Sequence, residues 1–81
     1  MKARVFVTLK PGVLDPQGAA VQHALGTLGF TGIGAVRQGK VLEFDMDTAD
    51  AQAAEADLAR MCEALLANTV IEDYRIEVPA P

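Results

Sequence analysis

Residues 9–28 read Leu-Lys-Pro-Gly-Val-Leu-Asp-Pro-Gln-Gly-Ala-Ala-Val-Gln-His-Ala-Leu-Gly-Thr-Leu. Pro11 and Gly12 end a preceding strand, because proline lacks the N–H that a sheet requires and glycine permits a sharp turn. Asp15 directly precedes Pro16, which is the order of a helix N-cap followed by a proline at the first helical position. The stretch therefore predicts the end of a strand, a turn and the start of a helix.

The predicted helix runs from Pro16 to Leu28. Its apolar positions follow the i, i+3, i+4, i+7 spacing of one helical stripe: Val21, Ala24, Leu25 and Leu28. Gly29 is expected to end the helix in a left-handed conformation, with Phe30 placed to contact Leu25. Gly18 and Gly26 each weaken the helix, and we interpret both as places where another backbone approaches closely.

The rest of the chain predicts four strands and a second helix. The strands are expected at Ala3–Leu9, Ile33–Gln38, Val41–Asp47 and Val70–Val78, with a hairpin bend at Gly39-Lys40. The second helix is expected to be capped by Asp47 or Thr48 and to end at Asn68-Thr69. Its apolar positions are Ala51, Ala54, Leu58, Met61, Cys62 and Leu65. The order β-α-β-β-α-β predicts one α+β domain over residues 1–81. It is a two-layer, ferredoxin-like (split βαβ) antiparallel sheet with two helices on one face.

Self-association is expected from the first strand. Val5 and Val7 share one face, and Phe6 places an apolar ring on the opposite face, which two helices on one side cannot cover. An 81-residue chain also has a small core and a thin margin of stability. A homodimer, or a multiple of one, is therefore predicted.

Composition excludes several classes of protein. The net charge of −4 argues against a nucleic-acid or anionic-membrane surface, since such surfaces need clustered Lys and Arg. The single cysteine excludes an internal disulfide and fits a reducing compartment. The apolar run after Met1 is too short for a signal peptide or a spanning helix. We expect a cytoplasmic protein.

The reactive side chains are scattered, so no catalytic, cofactor-binding or metal-binding residue is predicted. His23 has no metal-binding partner at suitable spacing, and Cys62 lies on an apolar stripe, where a thiol is inert. Glu43, Asp45 and Asp47 are expected to form one solvated strand face, and the adjacent pair Glu72-Asp73 points to opposite faces. A nucleophile, a base and an orienting group do not converge anywhere, so catalysis by this chain alone is not expected.

The string from Lys10 to Ala20 resembles the signature of the PurS family, the small subunit of phosphoribosylformylglycinamidine (FGAM) synthase. Three later stretches agree in order: Leu25 to Phe30, Val36 to Lys40, and Leu65 to Asn68 running into Val70 to Tyr74. The similarity spans essentially the whole chain. One departure is Thr69, where the family commonly has proline.

The resemblance implies a homodimeric subunit without an active site, which bridges a glutaminase subunit (PurQ) and a synthetase subunit (PurL). The complex uses glutamine, ATP and magnesium to convert formylglycinamide ribonucleotide into formylglycinamidine ribonucleotide, and this subunit is implied to bind no cofactor. Arg37 and Lys40, beside the Gly39-Lys40 bend, are our candidates for docking a partner. Two alternatives are a ferredoxin-like regulatory domain that binds a small molecule and, less favoured, a stand-alone isomerase.

Overall fold

The sheet within residues 1–79, which the computed structural model describes, has three antiparallel strands. They are β1 (Lys2–Leu9), β2 (Gly39–Asp45) and β3 (Glu72–Glu77), in the order β2-β1-β3. Val5 lies opposite Leu42 on β2 and opposite Ile76 on β3, which fixes the register on both sides. The last two residues of the predicted domain, Ala80 and Pro81, lie outside the described residues.

Two α-helices flank β2 along the chain. Helix α1 (Pro16–Thr27) begins at the predicted N-cap Asp15, and α2 (Ala51–Met61) begins at Asp50. The prediction of Asp47 or Thr48 as the second cap was wrong. The Asp50 carboxylate accepts hydrogen bonds from the N–H groups of Gln52 and Ala53. The Thr48 hydroxyl instead accepts one from the Asp50 N–H.

The core lies between the sheet and α2. Ala54, Leu58 and Cys62 follow one another at intervals of four residues and are fully buried. Leu58 and Cys62 pack in one cluster with Ala3, Val5 and Val7 of β1. A π-helical turn, Cys62–Leu66, continues α2. This turn is wider than an α-helical turn, so the residues after Cys62 no longer follow the four-residue spacing of the buried side chains. Leu65 is therefore 83% exposed. Leu65 therefore does not join the core as predicted, and neither does Met61, which lies before the π-turn and is 37% exposed.

The predicted strand Ile33–Gln38 is not formed, and neither is a hairpin at Gly39-Lys40. Residues 33–38 run without sheet pairing, and Gly39 and Lys40 already belong to β2, opposite Thr8 and Val7. The segment has the β-branched and small residues of a strand, but it pairs with neither outer edge of the sheet, at β2 or at β3. A strand also needs a partner strand, and strand composition alone does not supply one.

Helix α1 projects from the body of the molecule. Its apolar stripe is not packed into the core: Val21 is 41% exposed, Leu28 is 73% exposed and only Leu25 is half-buried. The helix ends as predicted, with Gly29 at φ +93° and the Phe30 N–H donating to the Leu25 carbonyl. We call residues 19–35 the arm.

The arm makes the molecule long. The radius of gyration is 16.0 Å and the extents are 47 × 25 × 15 Å. A compact domain of 81 residues would have a radius of gyration of about 12 Å. The α+β class and a sheet order that fits a ferredoxin-like arrangement are confirmed.

Candidate docking surfaces

The base of the arm is closed by one carboxylate. Asp15 is 6% exposed, and its Oδ1 accepts the Gly18 N–H at 2.7 Å. Its Oδ2 accepts the Gln38 N–H, also at 2.7 Å. These two hydrogen bonds lower the pKa of the Asp15 carboxyl, the bond from Gln38 most strongly; burial opposes them and the positive charge of Arg37 supports them. The bond to Gly18 was predictable as a cap. The bond to Gln38 spans 23 residues and has no local sequence signal.

The two chain segments at this corner touch directly. A Cβ atom at Gly18 would lie 2.0 Å from the carbonyl oxygen of Val36, so only glycine permits the approach. The prediction of a close backbone contact is therefore confirmed at Gly18. It was wrong at Gly26, where a Cβ would meet nothing within 4 Å.

The two predicted docking residues lie at the same end of the sheet, around the last residues of β1. Arg37 is tied down: its Nη2 donates to the Lys10 carbonyl oxygen at 2.9 Å. Lys40 is exposed at the start of β2 and lines a cavity of about 310 Å³ together with Asp15 and Glu72. Both residues are exposed, and the bond to a neutral carbonyl fixes the position of the Arg37 guanidinium without neutralising it.

The outer face of the sheet carries a ladder of opposite charges. Arg4 lies 3.4 Å from Glu43 and 3.7 Å from Glu77, and Lys10 lies 3.0 Å from Asp73. The predicted acidic face of β2 is thus partly neutralised by β1. Because these pairs are about half-exposed, they contribute little to stability.

Phe6 is less available than the sequence suggested. The guanidinium carbon of Arg75 lies 4.1 Å from the centre of the Phe6 ring, a cation–π contact that leaves the ring half-buried. The sequence argument placed the uncovered apolar surface on this face. The structure places more of it on the arm, where Phe30 is 58% and Ile33 40% exposed.

An open groove of about 620 Å³ runs along the arm. Its lining combines the end of α1 with the loop that follows: Ala19, Gln22, His23, Gly26, Thr27, Phe30, Gly32 and Ile33. His23 is exposed, and its backbone carbonyl accepts the Thr27 hydroxyl at 3.2 Å. The groove has one imidazole and no carboxylate among its lining residues, so it suits contact with another surface better than chemistry.

Two further predicted features can be placed. Cys62 is fully buried, as expected, and burial raises the pKa of its thiol, with the neighbouring Glu63 charge adding to the effect. Within residues 1–79, groups of three or more His, Cys, Asp or Glu side chains that could hold a metal ion do not occur. The helices of this range are all too short or too polar to cross a membrane.

The sheet is covered on one face, α1 projects with exposed apolar side chains, and the reactive side chains lie apart from one another. These features define the class of the protein as a small α+β association subunit. The PurS family, described as phosphoribosylformylglycinamidine (FGAM) synthase, matches residues 2–80. The FGAM synthase subunit PurS of Bacillus subtilis is 51% identical over 77 residues, which cover 95% of this chain and 90% of that one.

Solved structures agree with the sequence match. PurS of Methanocaldococcus jannaschii, described as one of the subunits of formylglycinamide ribonucleotide amidotransferase in the purine biosynthetic pathway, superposes with a TM-score of 0.88. It is 39% identical, and the match covers 99% of this chain and 96% of that one. A chain of the PurLQS structure from Thermotoga maritima has a TM-score of 0.85 at 26% identity, with 95% of each chain covered. The chain belongs to the PurS family, a subunit of FGAM synthase, which is a glutamine-dependent ligase of purine biosynthesis.

Proposed function

We propose that this chain is the non-catalytic subunit that joins the glutaminase and synthetase subunits of FGAM synthase, so that ammonia passes between them without escaping into water. The observation that carries this role is the arm, which exposes large apolar side chains and brings no set of reactive groups together. The PurLQS structure of the Thermotoga maritima relative supports a three-component assembly. A small-molecule regulatory domain is not favoured, because the groove of about 620 Å³ is open and lies on the projecting arm. We place the assembly in the cytoplasm.

We propose further that the chain acts as a homodimer. The exposed Leu28 and Phe30 on the arm give it an apolar surface that a second copy would cover. Each large apolar side chain removed from water contributes about 1.5–3 kcal/mol before the entropy of association is subtracted. The free edge of β2 beside this arm offers unpaired backbone groups to the same partner.

The substrates and cofactors of the reaction are assigned to the other subunits. ATP, magnesium and glutamine would bind the synthetase and glutaminase. This subunit would bind none of them and would contribute surface alone. Within that surface, Lys40 is the residue we assign to contact with a larger subunit, and Arg37 supports the turn beside it through the Lys10 carbonyl.

The central test is reconstitution of FGAM synthase activity from the glutaminase and synthetase with and without this chain. Activity is measured with glutamine and, separately, with ammonium salts as the nitrogen source. We expect omission to abolish most of the glutamine-dependent rate and to leave the ammonia-dependent rate largely intact. Equal glutamine-dependent rates with and without the chain would contradict the bridging role.

The docking assignment has a matched pair of variants. Lys40→Glu reverses an exposed charge at the end of the sheet where β1 finishes, which we call the β1 end. Arg60→Glu reverses a charge on α2, where the Arg60 side chain is 79% exposed. We expect Lys40→Glu to weaken capture of a larger subunit and Arg60→Glu to leave it unchanged. Equal effects of the two would show that net charge, not the β1 end, governs docking.

A further inference from the structure

The arm is joined to the body through a small corner built around Asp15. One carboxylate oxygen holds the first turn of α1 through Gly18, and the other holds the returning chain through Gln38. The Gly18 backbone rests against the Val36 carbonyl. The arm therefore begins and ends at the same corner of the body. The Asp15 side chain hydrogen-bonds the segment that enters the arm and the segment that leaves it.

The corner works as the base of a lever. Helix α1 has 12 residues, so it extends about 18 Å from its first turn. A tilt of about 10° at the base would move its far end by about 3 Å, roughly the width of a methyl-sized gap in a packed interface. Small errors in the direction of α1 would therefore prevent Leu28 and Phe30 from fitting a partner surface.

We propose that Asp15 is a positioning residue: its carboxylate, by bonding Gly18 and Gln38 at once, fixes the direction of the arm and so sets the affinity between two copies of the chain. The second half of this statement rests on the proposed homodimer. The first half concerns the single chain and is tested separately.

The charges around the corner keep it closed near neutral pH. Arg37 is the cation that favours the Asp15 carboxylate, and Lys40 and Glu72 line the cavity beside it. Because two N–H groups and a guanidinium favour the ionised form, the carboxylate protonates only in acid. The two hydrogen bonds of the Asp15 carboxylate, which we call the clamp, are thus a constant feature of the fold.

The main variant is Asp15→Asn, which keeps the size of the side chain and the ability to cap a helix. An amide offers one oxygen, so either Gly18 or Gln38 loses its acceptor and faces an NH₂ group. Asp50→Asn is the matched control, because Asp50 caps α2 in a similar way but lies away from the arm.

The single-chain measurement follows the arm itself. Spin labels at the exposed positions Thr27 and Glu55 report the distance between arm and α2, measured below the concentration at which two copies associate. Hydrogen exchange reports the Gln38 N–H. We expect Asp15→Asn to broaden the distance distribution and to accelerate exchange at Gln38, and Asp50→Asn to do neither. An unchanged distribution with Asp15→Asn would overturn the clamp.

Sedimentation then measures the dissociation constant between copies. Because the loosened arm must be ordered again when two copies associate, Asp15→Asn should weaken association by about tenfold, while Asp50→Asn stays within about twofold of the parent. Dimers of unchanged affinity despite a loosened arm would overturn the link to affinity. A parent chain that stays monomeric at every concentration would overturn the homodimer and leave the clamp to be judged by the distance measurement.

Gly18→Ala serves if Asp15→Asn fails to fold. Its Cβ would collide with the Val36 carbonyl and reopen the same corner while both Asp15 oxygens stay in place. We expect the same broadened distance and weakened association. A rigid arm in this variant would show that the corner does not set the direction of α1.

Discussion

Gly18 and Gly26 occupy the same helix but meet different surroundings. The first lies under the Val36 carbonyl, and the second faces open space. Sequence alone assigned both to close backbone approach, because a helical glycine has the same cost wherever it lies. The contact that distinguishes them comes from a segment 18 residues away along the chain.

The two glycines should therefore respond to alanine in opposite ways. Gly26→Ala should raise the free energy of unfolding by about 0.5–1 kcal/mol, since alanine loses less backbone entropy in a helix. Gly18→Ala should lower it, because the added methyl cannot fit. Urea denaturation of both variants at one protein concentration checks this, and equal shifts would remove the special role of Gly18.

Cys62 is a second residue whose environment decides its behaviour. Cys62→Ser should lower the free energy of unfolding by about 1–3 kcal/mol, because a hydroxyl replaces a thiol in an apolar site. It should leave glutamine-dependent activity of the complex unchanged. Chemical denaturation and the reconstituted assay test the two halves of this prediction.

The raised pKa of the Cys62 thiol also gives a dependence on pH. The folded state prefers the protonated thiol more than the unfolded state does, so this group supports stability below its ordinary pKa of 9.0 and loses that support as pH rises above it. A thiol reagent should label the folded chain slowly at pH 8. Labelling as fast as in urea would contradict the burial.

At the scale of elements, local signals were enough for β1 and α1, whereas the last strand begins at Glu72 instead of the predicted Val70. Tertiary contacts decided much of the rest. Asp15-Pro16 and Gly29 fixed the two ends of α1. Residues 33–38 have strand composition but pair with neither outer edge of the sheet, and composition does not reveal that. The π-turn after Met61 likewise follows from packing rather than from periodicity.

The unpaired segment leads to a prediction about association. If a second copy supplies a strand edge, the backbone N–H groups of residues 33–37 become hydrogen-bonded only in the dimer, whereas the Gln38 N–H is already bonded to Asp15 within one chain. The hydrogen exchange of residues 33–37 should slow as protein concentration rises, while the N–H groups of β1 stay equally protected throughout. Exchange of residues 33–37 that does not depend on concentration would contradict this pairing.

On the scale of the whole molecule, the elongated shape leaves many apolar side chains outside the core. The body has its own small core of β1, α2 and the π-turn, whereas the arm carries apolar surface outward. The sequence predicted self-association through the Phe6 face of the sheet; there Arg75 stacks on the Phe6 ring, while Val41, opposite Phe6 on β2, stays 55% exposed. The exposed apolar surface of the arm was not predicted, because the contacts that direct α1 join its start to residues 36–38, far along the chain.

Dimerisation should therefore appear as a concentration-dependent free energy of unfolding. Above the dissociation constant, each tenfold rise in concentration should stabilise the folded dimer by about 1.4 kcal/mol per mole of dimer. Leu28→Asp places a charge on the arm and should abolish this dependence while the body still folds. Leu65→Asp is the control, since Leu65 is equally solvent-facing on the π-turn and lies outside the arm. Denaturation at three concentrations distinguishes the variants, and a Leu28→Asp chain that keeps the parent's concentration dependence would show that the arm is not the surface through which two copies associate.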